Sequence, residues 1–160
     1  LPRNLHRGTP AAFAQDAKAR DLCLRGLSLG ADKALSPLAR VFFYLPLEHA
    51  ESREQQARSV ALFEALATEQ AGGPARETFE GFADFARRHQ VIVQRFGRFP
   101  HRNAILGRQA LTESEGWLLL QILKDVRDRQ RTTPHLDSLE DCIAYAALKA
   151  EARLAEGGTA

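Results

Sequence analysis

The residues best suited to chemistry in this sequence lie between positions 95 and 108, where four arginines, a histidine and an asparagine surround two glycines and a proline. Guanidinium groups form paired hydrogen bonds with carboxylate and phosphate oxygens. The run therefore predicts a site for a small anion or for an acidic segment of a partner protein. A structural alternative stays open, because Arg and Asn also cap helix ends and glycines supply turns. The candidate residues are Arg95, Arg98, His101, Arg102, Asn103 and Arg108.

The first eight residues repeat part of this pattern. Both segments contain a proline followed by Arg-Asn, and then a glycine with a neighbouring arginine. In the first segment the Arg-Asn pair is Arg3 and Asn4. The repetition suggests two equivalent corners of a duplicated helical fold, or one anion site built from both segments.

A second group of polar residues follows Pro46. Glu48, His49 and Glu51 combine a histidine with two carboxylates, which suits a general base or a metal pair. One histidine and two carboxylates from a single turn are an incomplete ligand set, so no metal site is predicted. Glu48 and Glu51 are alternatively expected to pair with the arginines of 95–108.

The other histidines have simpler interpretations. His89 lies on an apolar stripe and is predicted to be a core histidine, functional only if the fold brings it near His49 or His101. His6 and His135 are predicted to lie at the surface. Tyr44 is expected either to place its hydroxyl in the polar site or to pack.

Composition excludes several classes of function. The chain has 160 residues and a net charge of +2, so neither nucleic acid nor an anionic membrane is an expected partner. Apolar runs are far shorter than the roughly 20 residues of a membrane span. Phosphate-loop and dinucleotide motifs are absent from the sequence, so no cofactor is predicted.

The two cysteines, Cys23 and Cys142, are predicted to be core residues. Since the sequence lacks methionine and a signal peptide, we expect a trimmed or processed chain or a fragment.

All segments predict helix, and strand alternation is not sustained anywhere. Start signals lie at Thr9-Pro10, Ser36-Pro37, Ser52 with Gln55, Pro74, Thr112 with Glu115, and Ser138 with Asp141. The predicted helices span 10–29, 37–44 (ended by Pro46), 53–70 (closed by Gly72-Gly73), 75–95, 112–129 (ended at Thr133-Pro134), and 138 to Gly157-Gly158. Predicted core positions are Phe13, Ala17, Leu24, Leu27, Phe79, Phe82, Ala86, His89, Val93, Phe96, Leu139, Cys142, Ile143, Ala146 and Leu154. We predict an all-α fold of about six helices arranged as antiparallel hairpins.

Several motifs together resemble a mainly bacterial family, the domain of unknown function numbered nine hundred and twenty-four. The motifs are Leu1-Pro2-Arg3-Asn4 with Arg7-Gly8-Thr9, Phe13-Ala14 with Asp16-Ala17, residues 43–51, Gln56 with Ser59-Val60, and residues 95–108. The resemblance covers residues 1–118 and implies tetratricopeptide-like packing. Residues 119–160 are predicted to be a divergent C-terminal helical pair packed on the same domain.

The function expected from these observations is that of a non-enzymatic binding or scaffold protein. A protein partner is expected, with the Arg/His-rich turn holding its acidic segment or a small anion. Cytoplasmic localisation is expected; the alternative is a mitochondrial or other organellar matrix protein that acts as accessory subunit of a larger assembly. The rival function is an enzyme acting on a small anionic substrate. Its catalytic candidates are His49, His101 and Glu48, with Arg98 or Arg102 orienting the substrate.

Overall fold

The computed structural model describes residues 2–129, 133 and 136–157, and all regular structure in this part is helical. Seven α-helices follow one another: α1 Pro2–Leu5, α2 Asp16–Ser28, α3 Pro37–Glu48, α4 Arg53–Glu69, α5 Arg76–Phe96, α6 Glu113–Arg129 and α7 Leu136–Gly157. The all-α prediction is thus confirmed. The sequence-based assignments of Leu1, Pro134, His135 and Gly158 lie outside the described residues.

The chain forms two compact units, residues 1–108 and residues 109–160. The predicted boundary at 118 lies inside α6, whereas the division between the units lies before that helix. Packing of the C-terminal pair on the same domain stays a prediction, as does tetratricopeptide-like packing. Among the described helices, none has both the length and the apolar character needed to cross a membrane.

Side-chain caps begin three of the predicted helices. Ser36 Oγ accepts a hydrogen bond from the Ala39 amide at 3.4 Å. Ser52 Oγ accepts one from the Gln55 amide at 3.4 Å. The box at α6 is reciprocal: Thr112 N–H donates to Glu115 Oε2 at 3.1 Å, and Glu115 N–H donates to Thr112 Oγ1 at 3.3 Å. These bonds satisfy amides that the first helical turn leaves without partners.

Three helix boundaries, two starts and one C-terminal end, differ from the prediction. Thr9-Pro10 begins only a 3-10 turn, Pro10–Phe13, and α2 starts later. α3 continues through Pro46 to Glu48, since the loss of one N–H near a helix end is offset by the burial of Tyr44 and Leu47. α7 begins two residues before Ser138, which is buried.

The core of the first unit lies between α3, α4 and α5. Its buried residues are Val41, Tyr44, Phe63, Leu66, Phe79, Ala83 and Ala86. α4 and α5 run antiparallel: Glu64 pairs with Arg87, while Thr68, further along α4, lines a groove with Glu80, which comes earlier on α5. Phe79 and Val93 are buried as predicted, and Phe82 is half-buried against the cluster. Ala17 was wrongly predicted to be buried; it is exposed.

A glycine brings α2 close to α3. A Cβ atom at Gly26 would lie 2.5 Å from Cζ of the Phe43 ring. Real Cβ contacts are not this short, so the glycine permits the helices to approach over the ring. The spacing of α2 against α3 therefore depends on the missing side chain.

The second unit is an antiparallel helical pair. Ser114 at the start of α6 donates from N and Oγ to Glu156 near the end of α7, at 3.0 and 2.7 Å. Further along α6, Lys124 pairs with Asp141. The predicted burial of Leu139, Ile143 and Leu154 is wrong, because all three are exposed on α7. Cys23 is a buried and Cys142 a half-buried free thiol.

Candidate functional site

Four segments of the first unit meet around a cleft of about 260 Å³, called the arginine cleft here. They are the start of α2 with the 3-10 turn before it, the end of α3, the turn before α4, and residues 95–108, which are called the second basic motif here. The lining residues are Phe13, Asp16, Ala17, Arg20, Pro46, His49, Ala50, Glu51, Arg102, Leu106 and Arg108. A neighbouring cavity of about 160 Å³ shares Asp16, Pro46 and His49, and adds Arg3 and Phe42 to its wall.

Arg102 is the central cation of the cleft, with only 4% of its surface exposed. Its guanidinium lies 4.8 Å from the centre of the Phe13 ring and 4.5 Å from that of Phe99. Nη2 donates to the carbonyl oxygen of His49 at 3.1 Å. Burial lowers the pKa of Arg102, and the charge of Arg3 lowers it further. The side chain is therefore desolvated between aromatic faces yet keeps its charge.

Two carboxylates face these arginines. Asp16 Oδ2 lies 2.5 Å from Arg3 Nη2 and 3.6 Å from Arg102 Nη1. Glu51 accepts from Arg108 Nη1 at 2.7 Å and from the Phe99 amide at 2.9 Å, and it lies 3.9 Å from Arg102. The expected pairing of Glu51 with the basic motif is thus observed. Three guanidinium groups share two carboxylates, so the site carries a net positive charge.

The equivalent arginines of the two repeated segments have the same neighbours. Arg3, like Arg102, lies over the Phe13 ring, 5.2 Å from its centre, and both reach Asp16. Gly8 and Gly107, at the ends of the two segments, both have positive φ. The repetition in the sequence therefore corresponds to two turns that meet at one site.

His49 is the ring in the wall of the cleft. Burial lowers its pKa to about 4, and the charges of Arg3 and Arg102 act in the same direction against the opposing effect of Glu48. The imidazole is consequently neutral at pH 7 and has a lone pair with which to accept a proton or bind a cation.

Two further histidine rings, His89 and His101, lie near His49 and Phe99. The His89 ring centre is 5.6 Å from that of His49 and 5.3 Å from that of Phe99. The ring centre of His101, which is exposed, lies 5.7 Å from that of Phe99. His89 Nδ1 lies 3.0 Å from Oε1 of the buried Glu48. His89 was expected to have a functional role only if the fold brought it near His49 or His101, and it does lie near His49.

Other predicted site residues lie elsewhere or act differently. Asn103 is buried, yet neither atom of its side-chain amide has a hydrogen-bond partner in the described part of the chain. The prediction that this amide orders the turn by bonding to backbone is wrong. Its own backbone carbonyl instead accepts from the Arg108 amide at 2.8 Å. Tyr44 donates to Asp32 at 2.8 Å within the core and does not reach the cleft.

Three more candidates are absent from the described lining of the cleft. Asn4 is exposed and accepts from Arg7 at 3.4 Å, Arg95 is exposed, and Arg98 is half-buried. Sequence reasoning missed Asp16 and Phe13 as parts of the site. Asp16 lies in the first helical turn, where an acidic residue is ordinary, so its charge gave no separate signal.

Comparison with known proteins identifies the family to which this chain belongs. The chain belongs to the family described as bacterial protein of unknown function (DUF924), which matches residues 1–121. A solved structure of a protein of unknown function from Agrobacterium tumefaciens is 41% identical, with a TM-score of 0.61. The match covers 73% of this chain and 60% of that one, so this chain spans less than two thirds of that protein. Among curated proteins none matches. A bacterial family gives no support to the organellar alternative.

Proposed function

We propose that this chain is a helical binding protein whose arginine cleft takes a carboxylate or phosphate group. The group belongs to a small anion or to an acidic segment of a partner protein. The observation that carries the proposal is the convergence of Arg3 and Arg102 on one ring and one carboxylate. Two basic segments far apart in sequence thus supply one concentration of positive charge.

The balance of charge favours an anionic ligand. Among the described residues, the carboxylates that Arg3, Arg102 and Arg108 face are Asp16 and Glu51, and the neutral His49 adds no charge. Arg20 also lines the cleft, but it pairs with Asp21 at 3.0 Å. Because Arg102 is desolvated, a bound anion gains more from its charge than it would from a surface arginine. The Arg102 guanidinium is also held in place by the Phe13 and Phe99 rings and by the His49 carbonyl, which limits the freedom it must lose to meet an anion.

The size of the cleft indicates the scale of the ligand. A volume of about 260 Å³ is below the usual 300–1,000 Å³ of pockets for drug-sized molecules. It suits a single anionic group with a short carbon skeleton. Exposed apolar residues beside it are Phe42, which lines the neighbouring cavity, and Leu38 one turn earlier on α3. Apolar side chains next to an anion site favour a peptide segment as its source.

An enzyme is the second candidate, and His49 is the observation that favours it. This neutral ring shares the cleft with the arginines, so it is placed to accept a proton from a substrate whose charge they hold. Glu48 contacts His89, and His101 is exposed. His49 is therefore the strongest of the three catalytic candidates.

Anion titration tests the proposal. Phosphate, and separately a short dicarboxylate, is added at constant ionic strength set with chloride while the melting temperature is followed. An anion at 100 times its dissociation constant stabilises the folded state by about 2.7 kcal/mol. Arg108→Gln should weaken the effect, and Arg95→Gln, which changes an exposed arginine outside the cleft, should not. Glu51→Gln should strengthen it, because a competing carboxylate is lost.

The outcome that rejects the proposal is specific. If neither anion raises the melting temperature of the wild type or of Glu51→Gln above the chloride control, the arginines serve only their internal ion pairs.

A further inference from the structure

The end of α3 and the middle of α5 bring together a carboxylate and two imidazoles. Glu48, His49 and His89 each offer one potential ligand atom, and these atoms all lie within 4.8 Å of one another. Glu48 is buried, and both histidines are half-buried. The sequence shows an incomplete set after Pro46, and the fold supplies the missing imidazole from a residue 40 positions away.

We propose that Glu48, His49 and His89 bind a divalent transition-metal ion of the zinc, cobalt or nickel kind. Two imidazoles and one carboxylate suit these borderline ions, which bind His nitrogen at about 2.0–2.1 Å and carboxylate oxygen at about 2.0–2.2 Å. Three such ligands leave a coordination position open to water or to a ligand oxygen.

The frame around the three residues is already fixed. Gln56 Nε2 donates to the carbonyl oxygens of Glu48 and Ala50 at 2.5 and 2.9 Å, and Arg102 holds the His49 carbonyl. These bonds tie the end of α3 to α4 and to the second basic motif. Two ligands are thus adjacent in the sequence on a constrained turn, which is how preorganised metal sites reduce the entropy cost of binding.

His89 has the orienting contact that metal-bound histidines usually make. Its Nδ1 lies 2.9 Å from the carbonyl oxygen of Phe85, one turn back on α5. An imidazole that donates from Nδ1 to a carbonyl keeps Nε2 as the lone-pair nitrogen, with its ring orientation set. The same Nδ1 lies 3.0 Å from Glu48 Oε1, so binding of an ion through Nε2 requires the Glu48 carboxylate to leave this nitrogen and turn to the ion.

The experiment uses protein freed of metal by chelator and dialysis. Zinc is titrated by calorimetry, and cobalt is followed by its visible absorption. We expect one ion per chain and a visible cobalt spectrum with nitrogen and oxygen ligation. His89→Gln and Glu48→Gln should each weaken binding by more than about tenfold. His6→Gln removes an exposed histidine outside the set and should leave the affinity unchanged.

Several results would overturn the proposal. The proposal is wrong if the wild type takes up no ion, or if His89→Gln binds zinc as tightly as the wild type. If the variants do not fold, paramagnetic broadening by cobalt in the wild type decides: the His49 and His89 ring signals must broaden and the His6 signal must not. Arg108→Gln should keep full metal affinity while its anion affinity is weakened. This variant therefore tests the metal site independently of the arginine cleft.

Discussion

Arg3 and Arg102 lie over the same ring, with their guanidinium carbons 5.2 and 4.8 Å from the centre of Phe13. Both also reach Asp16. Two like charges are stable at this spacing only with compensation from carboxylates and from the electron-rich ring face. This relationship joins α1, the start of α2 and the second basic motif, and it makes Arg102 the residue on which the site depends most.

Replacing Arg102 tests that dependence. Arg102→Leu should lower the free energy of unfolding by about 3 kcal/mol, because it leaves Asp16 and Glu51 with less compensation. Arg102→Lys keeps the charge but loses the fork and its stacking, so an intermediate loss is expected. Urea unfolding gives the values. The control Arg95→Leu changes an exposed residue and should stay within about 0.5 kcal/mol. Equal losses for Arg102→Leu and Arg95→Leu would contradict the assignment.

The Gln56 amide is predicted to fix the turn that carries Glu48 and His49. It is fully buried and donates to two carbonyl oxygens. Gln56→Leu should cost about 2–3 kcal/mol, since two buried acceptors lose their donor. Ser59, also buried on α4, has an Oγ with no hydrogen-bond partner in the described part of the chain.

Ser59→Ala is therefore the matched control for Gln56→Leu. It removes an unpaired hydroxyl and should be neutral or slightly stabilising. Thermal and urea denaturation check both variants. A loss in Ser59→Ala as large as that in Gln56→Leu would show that packing, and not the two hydrogen bonds, explains the effect.

Acid should destabilise the protein through His49. Its pKa is about 4 in the folded chain and about 6.5 when unfolded, so between these values the unfolded state binds more protons. Its contribution is complete above pH 6.5 and is lost as the pH falls toward 4. The free energy of unfolding should fall by about 2 kcal/mol from pH 7.5 to pH 5 on account of this group.

His49→Gln should remove most of that dependence, whereas His6→Gln should not. A smaller slope persists, because burial and Arg102 also lower the pKa of His101. Urea midpoints at the two pH values measure the effect, and an NMR titration of the His49 ring locates its pKa. A ring that titrates near 6.5 would refute the prediction.

Two phenylalanines test the core against the surface with the same chemical change. Phe63 is 1% exposed in the α3–α4–α5 cluster, and Phe85 is 54% exposed on α5. Phe63→Ala should cost about 3–5 kcal/mol through lost burial and a cavity. Phe85→Ala should cost less than about 1 kcal/mol. Chemical denaturation of both variants decides, and similar midpoints would be inconsistent with this core.

The sequence predicts the helices well where short-range chemistry decides them. The caps at Ser36, Ser52 and Thr112 are set by residues three positions apart, and the helices begin there. The misplaced end at Pro46 and the exposed Ile143 depend on what packs against a helix face. Periodicity identifies an apolar face, but it does not say whether another element covers that face.

The candidate site was predictable in part. The basic motif and its repeat left two interpretations open, two equivalent corners or one site built from both segments, and the second interpretation places Arg3 and Arg102 together. The roles of Asp16 and His89 come from residues distant in sequence that tertiary packing brings together, and neither has a local signature. The wrong role for Asn103 has the same origin, because tertiary packing decides whether a backbone group lies within reach of its side-chain amide, and none does among the described residues.

The close approach at Gly26 makes the binding site sensitive to a position that does not line it. α2 carries Asp16 in its first turn and Gly26 near its end, so a side chain at 26 would force the Phe43 ring or α2 to move. Movement of α2 shifts the carboxylate that Arg3 and Arg102 share. A substitution at the half-buried Gly26 would then change ligand affinity from about three helical turns away.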